Sequence, residues 1–428
     1  MCYAIPGKVI SIDSKTITMD YFGEARKAIF VTGSYKVGDY VYAQGGIVVS
    51  KVPEEDAIPI LKMWKKQFFE LKKKDALLAG QSKFKSPISP IIERAENDET
   101  LSRNEMLAIL SVEGKDLDLL LQAANRIRKN KLDNACCVHG ILEFSNYCQN
   151  NCLYCGIRSG NDNIKRYRMS ESQILRAADS AVSLGFKALV LQSGEDPFYS
   201  DELLVSIVKK IRQKHGILLF MSIGERSRDC YKKLFDAGAY GALLRFETSN
   251  DQLYEKMRPG RKRTDRINLI RQLIEIGFVV ATGFLIGLPG QSADDLINDV
   301  LLTKSLKPDM YSFGPLIPHA ETPLSSAQTP SLDDVLKVIA LARLVDPQSK
   351  ILVTSALETL SPDAKKKGLM AGGNSLMINT TPKEYSTSYD LYPGKSNKDP
   401  VPETIKNTIE LLYSLGRAPT DLGVNDDR

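Results

Sequence analysis

The sequence predicts an α/β protein in which a small OB-like β-barrel precedes a (β/α)8 TIM-type barrel. Three observations carry that prediction. Eight apolar runs, at 140–144, 188–191, 218–221, 242–244, 279–286, 310–312, 351–353 and 375–378, alternate with amphipathic stretches such as 172–184, 201–214, 265–276, 293–305 and 333–344. Each run with its helix reads as one parallel β/α unit, and eight units close a barrel. The first 52 residues instead hold five short strand-like segments punctuated by Gly7, Gly23, Gly33, Gly38 and Gly45-Gly46, a pattern that suits a small barrel. No Gly-x-Gly-x-x-Gly follows any of the apolar runs, which sets aside an open doubly wound sheet.

In order along the chain, residues 8–12 and 16–19 alternate apolar with polar, and 28–31, 40–43 and 47–49 are short apolar runs. Pro53-Glu54-Glu55-Asp56 opens a helix, since proline and acids suit a first turn. Leu61, Trp64, Phe68 and Leu71 recur at helical spacing and are expected to pack on the small barrel. From Lys72 the composition turns basic and rich in breakers, through Gly80 to Pro87 and Pro90. The domain reading is therefore 1–72 for the β module with its helix, 73–91 for a basic flexible linker, and 92–428 for the large barrel.

Composition narrows the function classes. The chain has 428 residues, 43% hydrophobic and 25% charged, an ordinary globular balance. A net charge of +5 over this length does not mark nucleic acid as a partner. The longest apolar stretch, near 278–288, is interrupted by Thr282 and Gly283, so no membrane span is expected. The start, Met1-Cys2-Tyr3-Ala4-Ile5-Pro6, lacks the features of a signal peptide. Seven cysteines, three of them bunched, point to metal chemistry in a reducing compartment, and the protein is read as cytoplasmic.

The bunch is Cys148-Gln149-Asn150-Asn151-Cys152-Leu153-Tyr154-Cys155, just after the first apolar run of the large barrel. Three thiolates at Cys-x3-Cys-x2-Cys spacing suit three irons of one 4Fe–4S cluster and leave the fourth iron open. S-adenosylmethionine chelates such an iron through its amine and carboxylate, and one electron then yields a 5′-deoxyadenosyl radical. Tyr154 is expected beside the adenine. A zinc knuckle would want a second cysteine pair, whereas Cys136-Cys137 are adjacent and Cys230 stands alone. At the second strand end, Gln192-Ser193-Gly194-Glu195 reads as a loop for the cofactor's amino group, with glycine for close backbone approach. At the fourth, Arg245 and Glu247 occupy alternate positions and face one side, as a salt bridge or as site residues. His319 reads as either a capped loop histidine or a functional one.

Together these segments resemble the HydE family, radical S-adenosylmethionine enzymes of FeFe-hydrogenase maturation. The likeness runs through 144–169, including Lys165-Arg166-Tyr167-Arg168-Met169, then 191–197, 287–291, 314–319 and 389–395. It covers about residue 92 to the C-terminus; biotin synthase and methylornithine synthase are more distant likenesses. The resemblance implies cofactor or substrate contacts at Gln192, Arg245, Glu247 and Arg266, and a substrate pocket near Leu285, Tyr389 and Tyr392, with Arg245, Tyr389 and Tyr392 as the catalytic set. It implies an iron carbonyl–cyanide precursor as substrate, an electron donor, and other maturation proteins as partners. A mutase or sulfur-inserting reaction on an amino-acid-like substrate, and a carrier without catalysis, are the alternatives. Phe220 stands where that family has a small polar cofactor contact, which implies altered hydrogen bonding to the adenosyl group, and Phe246 where it often has histidine, which implies an altered pocket and substrate.

The N-terminal region, through Met1-Cys2-Tyr3-Ala4-Ile5-Pro6-Gly7-Lys8-Val9 and Val37-Gly38-Asp39-Tyr40-Val41, resembles the HypC family of hydrogenase-maturation chaperones. That resemblance implies that the Cys2 thiol holds a mononuclear iron carbonyl/cyanide complex; Gln44 replaces the histidine of the family's later motif. On the linker reading, a tethered module would carry this complex to the mouth of the large barrel.

Overall fold

The computed structural model describes residues 4–80, 84–394 and 399–424; Cys2, expected to bind iron, lies outside them. Strands β1 (Gly7–Asp13), β2 (Thr16–Tyr21), β3 (Glu24–Ile29), β4 (Tyr40–Gln44) and β5 (Ile47–Val52) form a closed barrel in the order β1-β2-β3-β5-β4. Alternation explains its core: Ile17, Met19 and Tyr21 point inward on β2 and meet Val9, Val41 and Phe68.

Helix α1 (Glu54–Leu78) begins after Pro53 with three acids in its first turn, which favours the helix dipole. It carries Trp64, Phe68 and Leu71 into the small barrel's core, as expected. It does not stop at residue 72. The segment read as a flexible linker is helical to Leu78, and α2 (Ser89–Glu96) begins within it, followed by α3 (Arg103–Leu110) and α4 (Gly114–Leu132). The basic composition of 73–91 misled because one buried acid, Asp75, anchors this stretch to the rest of the chain.

The large barrel comprises β6 (Cys137–Ser145), β7 (Ala188–Ser193), β8 (Leu218–Ser222), β9 (Gly241–Leu243), β10 (Val279–Thr282), β11 (Leu285–Ile286), β12 (Met310–Pro315), β13 (Ile351–Val353) and β14 (Ser375–Asn379). The strands are parallel, β14 pairs with β6, and β10 pairs with β12, which closes the ring. The run read as one strand at 279–286 is interrupted, so β10 and β11 share one of the eight barrel positions.

The small barrel does not hang from a tether. Ile47 and Val49 of β5 share a core with Ala188, Val190, Leu218, Phe220, Tyr240 and Val279, residues at or near the N-terminal ends of the large barrel's strands. Lys187 lies 4.7 Å over the Tyr42 ring at the same end. The C-terminal tail completes the joint: Asp421 accepts from the Gly46 amide at 3.2 Å, and the Val424 amide donates to the Lys27 carbonyl at 2.9 Å. Gly46 has φ +82°, and a Cβ there would lie 2.4 Å from Val424 Cγ1, so only glycine fits the joint. The module therefore sits at the opposite end from the strand C-termini, contrary to the expectation of delivery to the mouth.

Candidate active site

A cavity of about 300 Å³ opens at the C-terminal ends of the large barrel's strands. The structure brings to it Cys148, Cys152, Cys155, Tyr154, Gln192, Ser193, Gly194, Glu195, Arg245, Glu247, Arg266, Leu285, Tyr389 and Tyr392. Of the residues singled out in the sequence as site residues, Cys2 alone falls outside the described chain.

The three thiols ride on the loop leaving β6, and three elements pin that loop. The Gln149 amide donates to the Glu195 carbonyl at 2.9 Å, Leu153 to Met257 at 2.9 Å, and Gly156 to Leu391 at 3.0 Å. Gly194 approaches the loop closely: a Cβ there would lie 2.2 Å from the Tyr147 carbonyl oxygen and 2.7 Å from Cys148 Cβ. Burial pushes the Cys148 thiol up; at Cys155 burial dominates, and the neighbouring Cys152 and Cys148 push it further. Metal must therefore displace the protons. Among the described residues no three ligands are set to hold a single ion; in a cubane each thiolate binds its own iron.

Against the cysteine loop, where Arg261 donates to Asn150 Oδ1 at 2.8 Å, stands a charge network. Glu195 lies 3.8 Å from Arg258, 3.5 Å from Arg261 and 3.7 Å from Arg266, while Glu225 meets the same three at 3.3, 3.6 and 2.9 Å. Three guanidinium groups facing two carboxylates leave one net positive charge, suited to a ligand carboxylate. Glu195, expected to serve an amino group, spends its carboxylate on these arginines and on the Glu225 amide at 2.9 Å. Arg266 also donates to the Arg245 carbonyl at 2.8 Å, placing the next pair. Arg245 approaches Glu247 Oε2 at 3.4 Å without hydrogen-bond alignment, and that buried oxygen keeps an unfilled acceptor. Glu247 adopts φ +69°, a cost of order 1–3 kcal/mol for such a residue. The donor set, the glycine cradle and the unfilled carboxylate fit a cluster and S-adenosylmethionine: Cys148, Cys152 and Cys155 would hold the first, and Gln192, Ser193, Gly194, Glu247 and the arginine network the second.

Tyr154 packs with Leu253, Met257, Leu285, Leu288 and Leu316. Tyr389 is buried, and the Tyr392 hydroxyl shares a 2.8 Å hydrogen bond with Ser355 Oγ. Burial raises both phenols, and the Glu143 carboxylate adds to it. His319 Nε2 lies 2.9 Å from Asp390 Oδ2, and its Nδ1 accepts from the Glu321 amide at 3.1 Å. Neither departure noted in the sequence alters the cavity wall. Phe220 faces the opposite end, in the core shared with the small barrel, and Phe246 packs outward on Phe284 at 6.0 Å.

Sequence reasoning missed Glu143, Glu225 and Arg261. Glu143 interrupts an apolar strand run and accepts from Asn379 at 3.0 Å; a buried acid at an inward position was the available signal. Glu225 follows the third strand of the barrel, and that position alone marked it.

The comparisons agree with this geometry. The Radical SAM superfamily matches residues 142–302, the HupF/HypC family residues 1–64, and the Biotin and Thiamin Synthesis associated domain residues 312–417. The chain is 39% identical to the [FeFe] hydrogenase maturase subunit HydE of Thermotoga maritima over 77% of its own length and 94% of that protein. It is 30% identical to 3-methylornithine synthase of Methanosarcina acetivorans over 74% of its length and 90% of the relative. A crystal structure of methylornithine synthase superposes with TM-score 0.69 at 26% identity, covering 78% of this chain and 98% of that one. The maturase HydG superposes with TM-score 0.66 at 23% identity, covering 81% and 78%, which shows the shared fold. The chain is a radical S-adenosylmethionine enzyme of the HydE family, joined to an N-terminal domain of the HupF/HypC family.

Proposed function

We propose that this enzyme acts on an iron carbonyl/cyanide precursor during assembly of a hydrogenase metallocofactor. The observation that carries the reading is the pairing of two maturation-type modules in one chain, fixed end to end through a shared apolar core. When bound, the cluster and S-adenosylmethionine supply an adenosyl radical at the cavity. The chain's own residues do the rest. The three thiols hold the iron, Glu195 and Glu225 orient Arg258, Arg261 and Arg266 toward a carboxylate, and Glu247 offers an acceptor to a hydroxyl. Arg245, Tyr389 and Tyr392 border the space left for substrate. An external low-potential donor supplies the electron. The small domain serves from the far end of the barrel, where maturation proteins would dock.

A second reading is a mutase or sulfur-inserting reaction on an amino-acid-like substrate, favoured by the likeness to 3-methylornithine synthase. Anaerobic turnover separates the two. Reconstituted protein with dithionite and S-adenosylmethionine should form 5′-deoxyadenosine, faster with a cysteine-bound iron carbonyl–cyanide complex and unchanged with lysine. Stimulation and product from lysine alone would overturn the first reading.

A further inference from the structure

The motif Lys165-Arg166-Tyr167-Arg168-Met169 takes no part in the chemistry above, yet its second residue is bound to the cluster loop. We propose that Arg166 is a positioning residue of the cluster: it ties the two ends of the cysteine loop together and holds a fixed positive charge beside it that favours the reduced state.

The geometry is a four-way clamp. Arg166 Nη1 donates to the carbonyls of Asn146 at 2.6 Å and Ile157 at 2.8 Å; Nη2 donates to those of Arg158 at 2.6 Å and Asn161 at 3.0 Å. Asn146 lies two residues before Cys148 and Ile157 two residues after Cys155, so one planar fork joins the entry of the loop to its exit. The neighbours support it. Asn146 Nδ2 donates to the Lys165 and Ser388 carbonyls at 2.8 and 2.6 Å, the Tyr167 amide donates to Asn146 Oδ1 at 2.7 Å, and Asn161 Nδ2 donates to the Gly156 carbonyl at 2.6 Å. A lysine could supply the charge but not four directed bonds. The bonds to the Asn146 and Ile157 carbonyls set that charge two residues along the chain from Cys148 and two from Cys155.

Each one-electron reduction by an external donor adds one negative charge inside this loop. Removing a positive charge held against this loop should weaken reduction by about tenfold, ~59 mV for one electron.

The inference rests on the radical-enzyme reading, and its test distinguishes the two. Arg166→Gln and Arg166→Lys are reconstituted anaerobically as full-length chains, and iron content and midpoint potential are read by dithionite titration with electron paramagnetic resonance. A wild-type chain without a 4Fe–4S signal would sink the radical reading itself. With that signal present, Arg166→Gln should shift the potential downward by about tenfold in the equilibrium. Arg166→Lys should keep the wild-type potential while retaining less iron, because it loses the fork. A merely structural role would lower iron content in both and leave the potential of the remaining cluster unchanged; that result overturns the proposal. Should Arg166→Gln retain no cluster, the lysine variant decides, and a lysine variant that is also empty or shifted overturns the role of the charge.

Discussion

Asp75, near the end of α1, receives both terminal nitrogens of Arg128 at 2.7 Å, and the two side chains are 2% and 0% exposed. Arg417 from the C-terminal segment comes within 3.5 Å of the same carboxylate, and Asn125 accepts from both arginines. One carboxylate thus holds the small domain's helix, the large barrel's leading helix and the tail together. Removing it leaves two buried guanidinium groups without their counter-charge, so Asp75→Ala should destabilise the protein by about 3–5 kcal/mol. Urea unfolding measures this, and a loss below about 1 kcal/mol would contradict it.

The docking of the small domain has its own consequence. A chain starting at residue 84 would expose Leu218, Phe220, Tyr240 and Val279, now covered by Ile47 and Val49. It should be poorly soluble and lack the cooperative melt of the full chain, since an apolar face of this kind favours association. A truncated barrel that is monomeric and melts as the full chain does would show that the joint contributes little.

Replacing any one of Cys148, Cys152 or Cys155 by alanine should abolish 5′-deoxyadenosine formation, because among the described residues no other cysteine lines the cavity. The wild type should carry about four cluster irons per chain. Wild-type rates in a single variant, or about eight irons with matching sulfide, would refute the assignment.

Tyr392→Phe removes the hydroxyl that bonds Ser355 at 2.8 Å. Loss of one such bond is worth about 1 kcal/mol, so turnover of the substrate should fall roughly five- to tenfold while uncoupled cleavage of S-adenosylmethionine stays at its wild-type rate. A matching fall in both would place Tyr392 at the cofactor instead.

His139 is buried with neither ring nitrogen hydrogen-bonded, and burial, with the Lys350 charge, lowers it from 6.5 to about 4. The unfolded chain takes up a proton that the folded chain refuses, so this contribution to stability is full above about pH 6.5 and is lost as pH falls toward 4, by about 3 kcal/mol at the foot of that window. His139→Leu should flatten the slope of unfolding free energy between pH 7 and 4.5. Identical slopes would exclude His139 as its source.

Much of the site was legible because its parts are local in sequence or periodic. Cys148, Cys152 and Cys155 share one short loop, so their spacing alone brings them together. Arg245 and Glu247 share a face because extended backbone alternates, and the strand-end rule put Gln192, Ser193 and Gly194 at the same cavity. The same rule would have found Glu225, had an acid at that position been weighed against the arginines that follow it.

What the sequence by itself determined is therefore the two barrels, the cluster loop and the set of residues at the strand ends, since each follows from local periodicity or short spacing. Tertiary structure alone decided which end of the large barrel the small one occupies and that 73–78 is helix rather than tether. It also decided that Phe220 and Phe246 turn away from the cavity. Those outcomes depend on contacts between residues far apart in the chain, such as Asp75 with Arg417 and Gly46 with Asp421. A buried charge or a tight glycine joint gains its energy only when the distant partner arrives, so composition around it reads as ordinary linker or loop.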